Sequence, residues 1–267
     1  MAGKLRVSFI EFLNAIPLGW GFLHGSHKGA FEVLFDVPSE CARHLAEEKA
    51  EVGLIPVIEY QRIPNLRIIP DISIASRRKV KSVLFASQVP IEHVTSVALD
   101  SSSRTSAVLL KILLSEFYGR KSVIYTEHPP EPQKMLNHCE SALLIGHHAI
   151  KASLDGLFVY DLAHEWHRFT SLPFVFAFWA VRDSVDVSHQ RDIFHLSKKE
   201  GILKTEAISR LYSPKLALSP EEIQAYLEQN LDYSLDEMNQ AGLDRFFQLA
   251  SKVGAIETVR PLQFIDD

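Results

Sequence analysis

The chain has 267 residues, of which 46% are hydrophobic and 23% charged, and its formal net charge is −5 at pH 7. At roughly 150 residues per domain that is about 1.8 domains, enough to bury a full apolar core without disulfide or metal staples. Mild acidity without a long basic run excludes the footprint of a nucleic-acid binder, and no apolar stretch reaches the ~18 residues of a membrane span.

In chain order, strand-like and helix-like runs alternate. Residues 5–10 are β-rich and 15–23 follow as a helix. Residues 31–36 read as a strand. Pro38 stands where a helix begins, because its missing N–H is no loss in the first turn, and 39–49 continue it. Residues 52–55 form a strand closed by Pro56, and 66–74 and 80–86 are two more apolar β runs. A second alternation opens with a strand at 96–99 and an amphipathic helix at 105–118. Strands at 122–125, 142–145 and 157–160 are separated by short helices at 132–137 and 149–153. A helix at 162–170 leads into an intensely apolar strand at 174–181. Beyond Arg182 the period is helical throughout, at 187–205, 206–211, 220–229 and 235–253. Ser219-Pro220-Glu221-Glu222 places a cap, a first-turn proline and two acids in helical order.

Such alternation argues a largely parallel α/β sheet, and two sets of it argue two lobes. The seams are expected near 87–92, at Pro90, and near 178–183. That makes one lobe from 1–88 with 182–267 and the other from 89–181. A ligand would bind between them, at strand C-terminal ends. Two cysteines, Cys41 and Cys139, fit a reducing compartment, and the first ten residues do not read as a secretory leader. A cytoplasmic protein is expected, as a monomer or a dimer.

The strongest chemical signal is Asp100-Ser101-Ser102-Ser103-Arg104-Thr105-Ser106, at the opening of the 105–118 helix. A helix N-terminus offers unpaired N–H groups and a positive dipole end. The hydroxyls of Ser102, Ser103, Thr105 and Ser106, with Arg104, exceed what a cap needs and suit a carboxylate or phosphate. Asn14, in Phe12-Leu13-Asn14, follows the first strand, and its amide can donate and accept. Pro56 and the pair Gly146-His147 occupy equivalent strand-end turns. The twelve histidines include His24/His27 and His164/His167, but neither pair has a zinc-protease motif or a cysteine partner, so no metal is expected. Twelve glycines and no phosphate-loop or dinucleotide motif argue against a nucleotide cofactor. No Ser/His/Asp constellation is legible, and Glu59 is the best acid for a cleft.

Together the turns form a pattern. F-L-N-A-I-P-L at 12–18, V-G-L-I-P-V-I-E-Y at 52–60, K-S-V-L-F-A-S at 81–87 and A-L-D-S-S-S-R-T-S at 98–106 are followed by A-L-L-I-G at 142–146 and D-L-A-H-E-W at 161–166. L-P-F-V-F-A-F-W-A-V-R at 172–182 and G-L-D-R-F-F at 242–247 complete the set. In this order the chain resembles the chorismate dehydratase family of the futalosine route to menaquinone. The resemblance implies a fold like type II periplasmic binding proteins, two α/β lobes around a ligand cleft. It implies loss of water from chorismate to give 3-[(1-carboxyvinyl)oxy]benzoate, with no cofactor. It assigns Asn14 and Ser82 to the reacting centre, with Phe12, Pro56, Ser102 to Ser106, Gly146 and His147 as substrate contacts. One departure is His147, where the family usually carries Asp. Two alternatives are a sister enzyme that makes 1,4-dihydroxy-6-naphthoate and a non-catalytic small-anion binding protein.

Overall fold

The computed structural model describes residues 4–265. Its strands are β1 (Arg6–Ile10), β2 (Glu32–Asp36), β3 (Val52–Pro56), β4 (Leu66–Ser76), β5 (Val83–Ser87), β6 (Ser96–Asp100), β7 (Ile124–His128), β8 (Ser141–Ile145), β9 (Phe158–Asp161) and β10 (Phe174–Arg182). Its helices are α1 (Ile16–Leu23), α2 (Pro38–Ala46), α3 (Val57–Arg62), α4 (Thr105–Ile112), α5 (Pro132–His138), α6 (Gly146–Lys151), α7 (Leu162–Thr170), α8 (Arg191–Leu203), α9 (Thr205–Leu216), α10 (Pro220–Gln229) and α11 (Glu237–Lys252). The expected elements form within a few residues. The exceptions are α3, hidden in a turn motif, and a π turn, Leu113–Phe117, that extends α4.

Two five-stranded sheets result, ordered β2-β1-β3-β10-β4 and β7-β6-β8-β5-β9. The pattern is the same in both. Three parallel strands come first, and then one antiparallel strand is inserted before the last. The sheets are therefore mixed, and the largely parallel arrangement expected from the sequence is corrected. Parallel neighbours need a crossover helix on the sheet face. β5 and β10 arrive directly from the other lobe and run the opposite way.

β5, expected in the first lobe, lies inside the second sheet, and β10, expected in the second, lies inside the first. β5 follows β4 after residues 77–82, and β10 follows α7 after residues 171–173. Burial marks these segments as strands but leaves no sign of which sheet they join.

The largest apolar core runs through both lobes, joining Ile55, Tyr60 and Phe178 to Phe85, Leu109 and Trp166. Trp166 packs edge-on to Phe174 at 5.4 Å and donates its indole N–H to the Pro173 carbonyl at 3.1 Å. α11 lies against both β10 and α4. Helix α10 opens with the expected capping box between Ser219 and Glu222. Helix α8 crosses α1 closely: Gly21 N–H donates to Ser197 Oγ at 2.8 Å, and a Cβ on Gly201 would stand 2.0 Å from the Pro17 carbonyl oxygen.

That crossing yields a test. In an open helix Gly→Ala gains about 1 kcal/mol of propensity, while overpacking costs roughly 1–3 kcal/mol and more against rigid backbone. Gly201→Ala is expected to destabilise the protein by about 1–2 kcal/mol net, read as a lower urea midpoint. An unchanged or raised midpoint would show that the helices are free to part.

Candidate active site

The turns singled out in the sequence meet in one cleft between the lobes. Phe12 and Asn14 follow β1 and Pro56 ends β3. From the other lobe, Ser103, Arg104, Thr105 and Ser106 follow β6, and Gly146 follows β8. Ser82 sits at the end of the first crossing. Parallel strands raise their C-terminal ends, and the helix starts that follow them, toward the same side. The walls approach closely, leaving a cavity of about 50 Å³ between them.

Asn14 is carried by a single 3₁₀ turn, Leu13–Ala15, closed by Ala15 N–H donating to the Phe12 carbonyl at 2.9 Å. Its Oδ1 is buried without a hydrogen-bond partner. Ser82 is fixed from several directions. Lys81, just before it, has a left-handed φ of 60°. Asp161 accepts the N–H groups of Val80 at 3.2 Å and Lys81 at 2.7 Å, and also caps α7 through His164 N–H at 3.1 Å. The Ser82 carbonyl accepts Gly146 N–H at 2.8 Å. Its side chain is fully buried, and Oγ accepts the Tyr226 hydroxyl at 2.8 Å.

The start of α4 is built on Asp100. One oxygen of its buried carboxylate accepts both the N–H and the hydroxyl of Ser102, at 2.9 and 2.6 Å. Desolvation raises the Asp100 pKa, and the Ser102 bonds act against that rise. Ser102 is thus turned behind the wall, away from the cleft where the sequence placed it. Ser103 Oγ is buried and unpartnered in the wall itself. Thr105 Oγ1 accepts Ile58 N–H from the opposite lobe at 3.3 Å. No side chain caps α4, and its first residues, Thr105 and Ser106, line the cleft, which brings the positive dipole end to the wall. Arg104 is the one charged side chain among the described residues of the wall, and its guanidinium stands 3.6 Å from Glu127.

Gly146 has a φ of 57°, and a Cβ there would lie 2.7 Å from the Phe12 ring. Glycine satisfies both constraints. His147 lies outside the wall and joins the lobes: its Nε2 accepts Leu13 N–H at 2.9 Å, beside the Phe12 ring. An accepting Nε2 requires a neutral imidazole protonated at Nδ1. Burial, then Lys151 and His148, lowers its pKa to about 4.

A family model described as menaquinone biosynthesis matches residues 5–252. The chain belongs to that family. It is 32% identical to the chorismate dehydratase of Thermus thermophilus, over 88% of this chain and 91% of that protein. Identity to the chorismate dehydratase of Campylobacter jejuni is 26%, over 89% and 93% of the two chains. In fold it is similar to the periplasmic aliphatic sulphonate binding protein of Escherichia coli, with a TM-score of 0.66 at 12% identity, covering 100% of this chain and 95% of that one.

In this member of the menaquinone-biosynthesis family, sequence reasoning missed the apolar wall. Ile74 and Phe176 line the cleft from strands buried on both faces, where the sequence does not mark which side chain meets a ligand. Glu59 faces Arg62 at 2.7 Å and is not in the wall. The fold also brings Ser8, His44 and Asp36 together, with Ser8 Oγ 2.9 Å from His44 Nδ1. Ser8 is completely buried and Asp36 is 3.9 Å from the ring, so no accessible nucleophile results. Among the described residues no group of three His, Cys, Asp or Glu side chains is placed to hold a metal ion.

The His147 latch predicts a pH effect. The imidazole titrates at about 4 in the fold and near its ordinary 6.5 when unfolded. Below 6.5 the unfolded chain binds the extra proton, so this contribution to stability falls as pH drops from 6.5 toward 4 and is fully present above 6.5. In His147→Asn the amide oxygen can still accept Leu13 N–H but does not titrate. Between pH 7 and pH 5 the wild-type urea midpoint is expected to fall further than the variant's; parallel curves would refute the latch.

Proposed function

We propose that this chain is a chorismate dehydratase of the cytoplasm, converting chorismate to 3-[(1-carboxyvinyl)oxy]benzoate. The observation that carries the reading is the convergence of Asn14 and Ser82, from the two sides of the cleft, on walls whose only charge among the described residues is Arg104. The likeness to chorismate dehydratases over most of the chain supports the same substrate. The closing units are taken as 4–76 with 174–265, and 83–161.

Chorismate is a dianion. Its ring carboxylate is seated at the N-terminus of α4, against Ser103, Ser106 and Arg104. Asn14, with an unpartnered Oδ1 and a free amide N–H₂, holds the leaving hydroxyl. Ser82 donates to the enolpyruvyl carboxylate. The C–H bond breaks on the ring carbon bearing the ether. Its electron pair becomes the new ring π bond as the neighbouring C–O bond breaks, and the proton and the departing hydroxide together make water. Aromatisation drives the step, so holding the groups in line is the enzyme's main task. The wall carries no carboxylate or imidazole among the described residues. The enolpyruvyl carboxylate of the substrate is therefore assigned as the proton acceptor.

Incubation of the purified protein with chorismate is expected to give an aromatic absorbance and the benzoate by mass. Asn14→Ala and Ser82→Ala should each lower kcat/KM by about 10²–10³-fold, the usual effect of deleting one preorganised polar group. Glu59→Gln should leave it within about twofold, whereas a roughly thousandfold fall would make Glu59 a protein base. Binding of chorismate without product would overturn the dehydratase reading.

A further inference from the structure

The Ser82 hydroxyl has its one protein partner on the side of α10. Tyr226, on that helix, is buried, and Ser82 Oγ, 2.8 Å away, is the acceptor its hydroxyl finds among the described residues. A hydroxyl has one proton and two lone pairs. If Ser82 donated to Tyr226, the phenol proton would be left buried without an acceptor. The tyrosine therefore donates, and the serine proton is free to point elsewhere. The cleft is where it can go, because Ser82 is part of the wall and its carbonyl is already held by Gly146 N–H.

We propose that Tyr226 is a positioning residue that orients the Ser82 proton into the cleft, so that Ser82 meets the substrate as a donor to a carboxylate oxygen. The inference rests on the dehydratase reading. A donated hydrogen bond also polarises the acceptor hydroxyl and strengthens the bond it makes onward. Burial raises the Tyr226 pKa well above that of free phenol, so it keeps its proton across the working range. Tyr226 comes from a C-terminal helix, 144 residues from the serine it serves. Tyr233, equally buried and within electrostatic reach of Tyr226 but with a hydroxyl that has no hydrogen-bond partner among the described residues, supplies the control.

The test compares Tyr226→Phe, Tyr233→Phe, Ser82→Ala and the Tyr226→Phe/Ser82→Ala double variant. Tyr226→Phe is expected to lower kcat about tenfold while KM moves less than about threefold, as for a contact felt mainly in the transition state. Tyr233→Phe should match the wild type, which controls for deleting a buried hydroxyl. The double variant should be no worse than Ser82→Ala. Wild-type turnover in Tyr226→Phe, or losses that multiply in the double variant, would overturn the positioning role. A wild type that binds chorismate without converting it overturns the dehydratase reading alone. The same cycle is then read in chorismate affinity, where non-additive losses support the role and independent ones refute it. Absence of both binding and turnover overturns both.

Discussion

One carboxylate ties together the two segments where the chain passes between the lobes. Asp161 accepts the N–H groups of Val80 and Lys81 from the first crossing and of His164 at the start of the second. Bonds from backbone N–H to an ionised acceptor are about twice as strong as neutral ones. They hold Lys81 in a left-handed conformation that a non-glycine residue seldom adopts. Ser82 emerges from that constraint already aimed, and β5 then enters the second sheet between β8 and β9.

Exchange of β5 and β10 makes each lobe depend on the other for a complete sheet. The walls of the cleft inherit this. Leu13 N–H to His147 Nε2 and Ile58 N–H to Thr105 Oγ1 both run from a backbone group of the first lobe to a side-chain acceptor of the second. Each sits beside a cleft residue, Leu13 next to Asn14 and Ile58 two past Pro56. The contacts that close the lobes therefore also fix the turns that present the polar groups. The core continuous from Tyr60 and Phe178 to Phe85 and Trp166 gives this closure apolar support.

The strand-end turns were readable because each pairs a β-rich run with residues that suit a helix start. Asn14, Pro56 and the Ser103 to Ser106 turn reach the cleft for that reason. What local sequence leaves out is direction and distance. The apolar run at 174–182 reads as a buried strand, yet only its short approach from the other lobe makes it antiparallel to β3 and β4. Ser102 looked equivalent to its neighbours and is not, because Asp100 two residues earlier captures its hydroxyl. Tyr226 sits in an ordinary amphipathic helix, and nothing nearby in sequence marks the serine it meets.

The composition of the walls bears on the chemistry. A carboxylate base beside a bound dianion would face two like charges in a desolvated site. Its pKa would rise and it would oppose the binding it was meant to serve. An amide, hydroxyls and helix N–H groups meet the anion without that conflict, and Arg104 can exchange Glu127, 3.6 Å away on the surface, for a substrate carboxylate. Asn14 Oδ1 and Ser103 Oγ have no protein partner among the described residues, so a ligand hydroxyl can pair the amide oxygen and a ligand acceptor the serine proton. A wall of neutral polar groups with one cation thus suits an anionic ligand better than a wall carrying its own carboxylate would.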